Sequence, residues 1–156
     1  YPLSVFTQAV YALAERNIPV VVHIILGLPG ESRETVLRTI DYLNRLPIQG
    51  VKLQLLHVLS DSDLADLYRA GEYTPLEKEE YLTLVGDCIA HLRADIVLHR
   101  LTGDGDKNTL LAPLWSLRKR DVLNHLHRYL RENHIRQGMS CKIDLSVIYN
   151  KPKDVL

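Results

Sequence analysis

This 156-residue sequence is short of cysteine, of long apolar runs and of net charge. Its two cysteines, Cys88 and Cys141, are too few and too far apart for a disulfide framework, a zinc ribbon or a metal-cluster loop. No apolar run reaches the roughly 18 residues of a membrane span. Nineteen basic residues balance nineteen acidic ones, so the overall charge indicates neither a nucleic-acid nor a membrane partner. We expect a protein of the reducing cytoplasm.

Segments with the periodicity of an amphipathic helix alternate along the chain with short apolar runs typical of strands. This alternation predicts an α/β fold, in which parallel strands are joined by right-handed crossovers and flanked by helices. The nearly continuous apolar run from Pro19 to Leu26 predicts a parallel strand covered on both faces. We predict strands over residues 19–26, 50–58, 95–99 and 142–149, helices over 4–16, 31–46, 62–70 and 116–132, a further helix opened by a capping box at Thr74-Pro75-Leu76-Glu77, and a loop over 101–113.

Three or four strands are fewer than the eight of a complete β/α barrel, which also takes about 250 residues. The chain is therefore either a small open sheet or the second half of a barrel. In the second case its first strand presents an edge, and we expect self-association through that edge. Because the first residue is Tyr1 and not Met, we expect a fragment or a processed product. We divide it into residues 1–138 and a strand and tail over 139–156.

The segment VVHIILGLPGE, residues 21–31, joins the first predicted strand to a helix. Its glycines, Gly27 and Gly30, let backbone approach a ligand closely, Pro29 fixes the turn, and the helix behind it supplies free amides. The same residues equally suit a plain strand-to-helix turn. Neither the dinucleotide fingerprint G-x-G-x-x-G nor the phosphate-loop sequence G-K-S/T is present.

Two further polar clusters follow predicted strands, where parallel α/β folds bind ligands. Gln54 and His57 end the second strand, although a lone strand histidine, like His23 in the first, is more often structural. The loop HRLTGDGDKNTLLAPLWS, residues 99–116, suits a polar substrate or a merely solvated loop. It fails the calcium-loop pattern, since Thr109 stands at the glycine position. The last helix carries an excess of basic residues, which suits either RNA or a solvated face.

Together these stretches resemble the radical S-adenosylmethionine superfamily, and within it the Elp3-like iron–sulfur oxidoreductases labelled YhcC/YtqA. The resemblance lies in HIILGLPGE, in LHVLSDSDLADLYRAGEYTPLEKEEY, and above all in IVLHRLTGDG with LLAPLWS, up to Gly138. It implies the carboxyl-terminal half of a partial, TIM-like β/α barrel. In such enzymes a reduced 4Fe–4S cluster splits S-adenosylmethionine to a 5′-deoxyadenosyl radical.

The resemblance also implies roles for individual residues but assigns no catalytic one. The turn matches the family's G-x-I-x-G-x-x-E type segment, with His23 in place of its first glycine. Cofactor binding falls to Ile25, Gly27, Leu28, Pro29, Gly30, Glu31, Gln54 and His57, and substrate binding to His99, Arg100, Asp104 and Asp106.

The family's cluster is held by three cysteines in a C-x-x-x-C-x-x-C-like loop, and this sequence contains no such loop. We therefore expect no metal ligands here, ligands upstream of Tyr1, and a piece that is inactive alone. For the parent the resemblance implies modification of a tRNA wobble uridine as a substrate class, with tRNA as a partner and flavodoxin or ferredoxin as reductant.

Two other functions stay open. One is a non-redox module that binds nucleic acid or protein, for which charge reversal at Arg118, Lys119 and Arg120 is the test. The other is an ordinary barrel lyase or aldolase that uses His57 or His99 as general base.

Overall fold

The computed structural model describes residues 2–103 and 105–143. The predicted strand over residues 142–149 therefore lies almost entirely outside the described residues, as does Asp104. Within them, no helix combines the length and apolar character needed to cross a membrane. The helices are α1 (Leu3–Ala14), α2 (Arg33–Leu43), α3 (Asp63–Arg69), α4 (Lys78–His91) and α5 (Lys119–Glu132), with a 3-10 turn at Leu114–Leu117; the strands are β1 (Val21–Leu26), β2 (Gly50–Leu55), β3 (Val58–Leu59), β4 (Val97–Arg100) and β5 (Leu110–Ala112).

The main sheet has the order β1-β2-β4, and both pairings are parallel. This confirms the predicted α/β architecture of parallel strands with flanking helices. The helices cover one face of the sheet, and the core forms between that face and α2, α4 and α5. Its buried members include Leu26, Leu53, Ile40, Val85 and Leu126.

The other face of the sheet is open in the described residues. Val21, Ile25 and Val97 are 36%, 43% and 57% exposed. Paired residues of parallel strands point to the same face, so His23 and Lys52, which pair in register, lie on this open face too. The expectation that the first strand is covered on both faces is therefore wrong for the described part of the chain. Its apolar run instead supplies one face to the core and the other to a surface.

Long-range contacts move several boundaries. The predicted strand over residues 50–58 breaks after Leu55, because Val58 and Leu59 pair antiparallel with β5, which lies inside the predicted loop. The predicted helix over residues 116–132 starts as the 3-10 turn, and the chain leaves helical geometry at Arg118 (φ −91°, ψ 55°) before α5 begins.

The capping box sits one turn later than predicted. Helix α4 begins at Lys78, and the Glu80 carboxylate accepts a hydrogen bond from the Glu77 backbone N–H at 2.9 Å. The preceding residues 74–77 are not helical, and their Leu76 carbonyl accepts a hydrogen bond from Trp115 Nε1 at 3.2 Å. The Leu76 side chain also packs against Gly27. These tertiary contacts override the local helix-start signal at Thr74.

Arg93, only 1% exposed, ties the end of α2 to the start of β4. Its guanidinium donates to the backbone carbonyls of Asn44 at 2.9 Å, Leu46 at 3.4 Å and Ile48 at 3.3 Å. Its backbone N–H donates to the Asn44 side chain at 2.9 Å. This clamp supplies a donor to the Asn44 and Ile48 carbonyls and a second donor to the Leu46 carbonyl, which also accepts from the Ile48 backbone N–H at 2.8 Å.

Candidate functional site

A cavity of about 170 Å³ lies at the carboxyl ends of the three parallel strands. Its wall combines apolar surface with a few polar groups, which is typical of ligand sites. Four of the residues predicted to bind cofactor or substrate meet here, namely Ile25 from β1, Gln54 from β2, His57 just beyond β2, and Arg100 from β4. Ile25 and Gln54 are partners in the sheet register, so both side chains point to the open face. Leu55, Leu56 and Gly103 complete the lining.

His57 is fixed by a serine 59 residues away in the sequence. Its Nε2 lies 3.0 Å from Ser116 Oγ, and that hydroxyl donates to the Pro113 carbonyl at 2.8 Å. A hydroxyl has a single hydrogen, so the His57 Nε2–H is the donor to Ser116. A neutral imidazole then carries its acceptor at Nδ1.

The absence of a side chain at Gly103 makes room for the imidazole. A Cβ on Gly103 would lie 2.6 Å from His57 Cε1 and 3.3 Å from the Leu55 carbonyl oxygen. A Cβ on Gly105 would lie 3.5 Å from His57 Cγ, which is an ordinary contact distance. Gly103 of the TGDG stretch therefore allows the loop after β4 to close over the ring.

The Gly27–Glu31 turn is bonded within itself. Gly27 and Gly30 have φ of +89° and +73°, values that glycine adopts without strain. The Glu31 carboxylate accepts from the backbone N–H groups of Gly27 at 3.3 Å and Leu28 at 3.4 Å. Tyr73 OH donates to the Gly27 carbonyl at 2.7 Å.

The free amides expected behind this turn are partly occupied. The Ser32 side chain caps α2 by accepting from the Thr35 backbone N–H at 3.3 Å. Gly27 and Glu31 line a separate groove of about 440 Å³ between α2 and α4, in which Val36, Leu76 and Leu84 supply apolar surface. Leu28, Pro29 and Gly30 are exposed. The structure thus separates most of the turn from the cavity that holds Ile25.

Two more predicted substrate residues lie apart from the cavity lining. The His99 ring covers Gly50 at the start of β2, where an added Cβ would be 2.5 Å from His99 Nε2. Asp106 is exposed, and its carboxylate accepts from the Asn108 backbone N–H at 3.0 Å within a local turn.

The sequence interpretation missed the residues that hold the site together. The indole of Trp115 stacks in a tilted arrangement on Tyr81, with ring centroids 5.6 Å apart. Tyr81 OH donates to the Leu101 carbonyl at 2.9 Å, and burial raises the pKa of its phenol. Ser116 and Trp115 belong to the APLWS stretch, which carries part of the family resemblance but has no role assigned from sequence. Burial likewise raises the pKa of Tyr73.

Comparison with known proteins assigns the chain to a protein family. The model of the radical SAM C-terminal domain matches residues 48–132. The chain is 31% identical over 138 residues to YtqA of Bacillus subtilis (strain 168), covering 88% of this chain and 43% of YtqA. It is 33% identical over 121 residues to YhcC of Escherichia coli (strain K12), covering 78% of this chain and 39% of YhcC. The chain therefore spans about two fifths of the length of these relatives.

A solved structure shares the fold. An archaeal Elp3 from Methanocaldococcus infernus, with an N-terminal deletion of residues 1–46, superposes with a TM-score of 0.73 at 16% identity. The match covers 88% of this chain and 32% of that one. At this identity the likeness concerns the fold alone, and it agrees with a segment of a partial barrel.

Proposed function

This chain belongs to the radical S-adenosylmethionine superfamily, and from that premise we propose that it forms one wall of the cofactor and substrate site of a larger radical enzyme. The observation that carries the proposal is the cavity in which three parallel strands bring Ile25, Gln54 and Arg100 together at their carboxyl ends. In barrel enzymes this end of the strands holds the reacting groups.

The residues present fit part of S-adenosylmethionine. A cavity of about 170 Å³ is smaller than ordinary ligand pockets, which start at about 300 Å³, so the described residues supply a wall and not a closed pocket. We propose that Ile25, which is 43% exposed, offers the apolar surface for a nucleoside. The Gln54 amide supplies both donors and acceptors, and Arg100 suits a carboxylate or a phosphate.

The iron–sulfur cluster does not fit the residues present. Cys88 is fully buried in the core, and burial raises the pKa of its thiol to about 12, whereas cluster ligation requires a thiolate. Cys141 is partly buried and lies 3.7 Å from the Asn44 amide nitrogen. The described residues contain no group of three histidine, cysteine or acidic side chains that could hold a metal ion. We assign no step through the cluster to this chain.

When bound, S-adenosylmethionine supplies hydrogen-atom abstraction, and this chain's residues bind, orient and exclude water. Ile25 displaces water from one side of the site, and the Ser116 hydrogen bond keeps the His57 ring in one orientation. We further propose a tRNA wobble uridine as the substrate class, because a uracil edge offers the donors and acceptors that an amide and an imidazole recognise. The resemblance to Elp3-like enzymes supports this choice.

The test uses the full-length parent, reduced under anaerobic conditions, and follows formation of 5′-deoxyadenosine and methionine. Ile25→Ala is compared with Ile18→Ala, because Ile18 is equally exposed, at 46%, but does not line the cavity. Losing the apolar contact of one isoleucine, about 1.5 kcal/mol, raises KM for S-adenosylmethionine about tenfold in the first variant only. No cleavage by the parent, or equal behaviour of the two variants, would contradict the proposal.

The alternative of a barrel lyase gains no support. The described residues that line the cavity include neither a carboxylate nor a lysine to work with His57. His99, the other candidate base, lies against Gly50.

A further inference from the structure

The chain is electrically neutral as a whole, but its charge is unevenly placed. Residues 118–142 contain seven basic residues and two acidic ones. One of these two, Asp121, is already occupied, because its carboxylate accepts from Lys78 Nζ at 2.7 Å. The second half of α5 and the turn after it, residues 126–142, contain four of the basic residues and one acidic residue, Glu132, which gives a positive excess there.

An open groove of about 540 Å³ lies at this end of α5, and we call it the basic groove. Its lining contains no acidic residue among the described part of the chain, and it consists of His127, Leu130, Arg131, His134, Ile135 and Arg136. The side chains of Arg131 and Arg136 are exposed and form no ion pair with a described residue. Their charges are available to a ligand.

The backbone at His134 supplies a second, independent observation. His134 has φ of +53° immediately beyond α5, and the Ile135 N–H donates to the Leu130 carbonyl at 2.8 Å, which closes the helix end. Glycine is the usual residue at this left-handed position, since a side chain there is strained. A histidine in that place puts an imidazole into the basic groove at a cost to folding, which points to a role beyond the turn.

We propose that the basic groove binds the phosphodiester backbone of RNA, with the two imidazoles available to stack on bases. Arginine charges hold phosphates, and flat side chains beside them suit unpaired bases. A membrane surface fits less well, because the apolar face of α5, including Val122 and Leu126, is buried in the core. The inference deepens the proposed function by locating where an RNA substrate is held away from the cavity.

The first test measures binding of the full chain to a fluorescently labelled RNA stem-loop over a range of salt concentrations. Arg131→Glu with Arg136→Glu is compared with Arg38→Glu and Arg45→Glu, which make the same change in net charge on and just beyond α2. We expect the groove pair to weaken binding at least about tenfold and to lower the salt slope by about 1.5, the value for two lost phosphate contacts. Equal weakening by both pairs would overturn the assignment of the site.

The second test uses His134→Gly. Glycine relaxes the left-handed backbone, so this variant should melt at the same temperature as the parent chain or higher, while RNA binding weakens. Unchanged binding would refute a role for the imidazole. Polyglutamate and phosphatidylserine vesicles serve as competitors, and displacement of RNA by either at equal charge would show a general anion surface and contradict the proposal.

RNA binding here needs neither cofactor nor cluster. If the parent binds RNA through the basic groove but does not cleave S-adenosylmethionine, the proposed function is contradicted and this inference is not. If the parent cleaves S-adenosylmethionine but its RNA binding does not depend on the groove, this inference is contradicted and the proposed cofactor chemistry is not.

Discussion

Gly103→Ala should damage the candidate site through a single methyl group. Gly103 has no left-handed φ, so alanine meets no backbone strain there. The added Cβ would, however, lie 2.6 Å from His57 Cε1 and 3.3 Å from the Leu55 carbonyl oxygen. The Leu55 oxygen belongs to β2 in the middle of the sheet and cannot yield, so the imidazole must move.

The size of the effect follows from these distances. An ordinary contact needs about 0.8 Å more than the 2.6 Å available, and a ring shift of that size is large enough to stretch the 3.0 Å bond from Nε2 to Ser116 beyond hydrogen-bond range. Overpacking costs about 1–3 kcal/mol and the lost hydrogen bond about 1 kcal/mol. We expect a free energy of unfolding lower by about 2–4 kcal/mol, or a Tm lower by very roughly 4–16 °C for a chain of this length.

Urea denaturation of the full chain measures this loss, and Gly105→Ala is the matched control. A Cβ on Gly105 is crowded by the ends of the Leu110 side chain alone, at 3.2 and 3.3 Å, and lies at an ordinary contact distance of 3.5 Å from His57 Cγ, so its cost should stay below about 1 kcal/mol. His57→Ala then completes a double-mutant cycle. Once the ring is removed, the Gly103→Ala substitution should be nearly harmless. If Gly103→Ala costs as much without the imidazole as with it, the clash with His57 is not the cause.

Two further predictions concern buried groups of the core. Arg93→Met removes the side-chain donor of the Asn44 and Ile48 carbonyls, one of the two donors of the Leu46 carbonyl, and the ion pair with Asp95 at 3.1 Å. Urea denaturation should therefore show a loss in the free energy of unfolding of about 3 kcal/mol or more. Arg93→Lys should restore only part of this loss, and a loss below about 1 kcal/mol would contradict the clamp. Burial raises the pKa of Cys88 from 9.0 to about 12. The unfolded chain therefore loses this proton at a lower pH than the folded chain does. The free energy of unfolding keeps its full value below about pH 9 and falls as the pH rises toward 12, by up to about 1.4 kcal/mol per pH unit. Thermal melts between pH 8 and 10 should therefore fall less steeply for Cys88→Ala, and an unchanged slope would disprove the assignment.

Much of the secondary structure can be predicted from the spacing of apolar residues within short segments of the sequence. The alternation of Val51, Leu53 and Leu55 with Lys52 and Gln54 predicts a strand with one buried face, and the burial of β2 agrees with it. Helix α4 follows equally from the periodicity of its apolar residues, because both signals depend on neighbours within a few positions.

What the sequence did not reveal depends on distant partners. The break after Leu55 arises because β3 pairs with β5, more than 50 residues later. His57 and Ser116 are 59 positions apart, so nothing in the local pattern of either residue indicates the hydrogen bond that orients the imidazole. The left-handed φ of His134 likewise cannot be predicted from the sequence, because nothing near this histidine distinguishes it from any other histidine that follows a helix.

The open face of the sheet carries apolar side chains next to the polar groups of the candidate site. Its exposed isoleucine and valines lie among polar residues, so the face is neither a core surface nor an ordinary solvated one. Apolar surface left open on a parallel sheet, at strands whose carboxyl ends carry an amide and a guanidinium, is expected to be covered by a ligand or by other protein. If a ligand covers it, saturating S-adenosylmethionine should slow hydrogen exchange of the β1 amides in the parent. If other protein alone covers the face, those amides are slow in the parent without the cofactor, and adding it changes nothing.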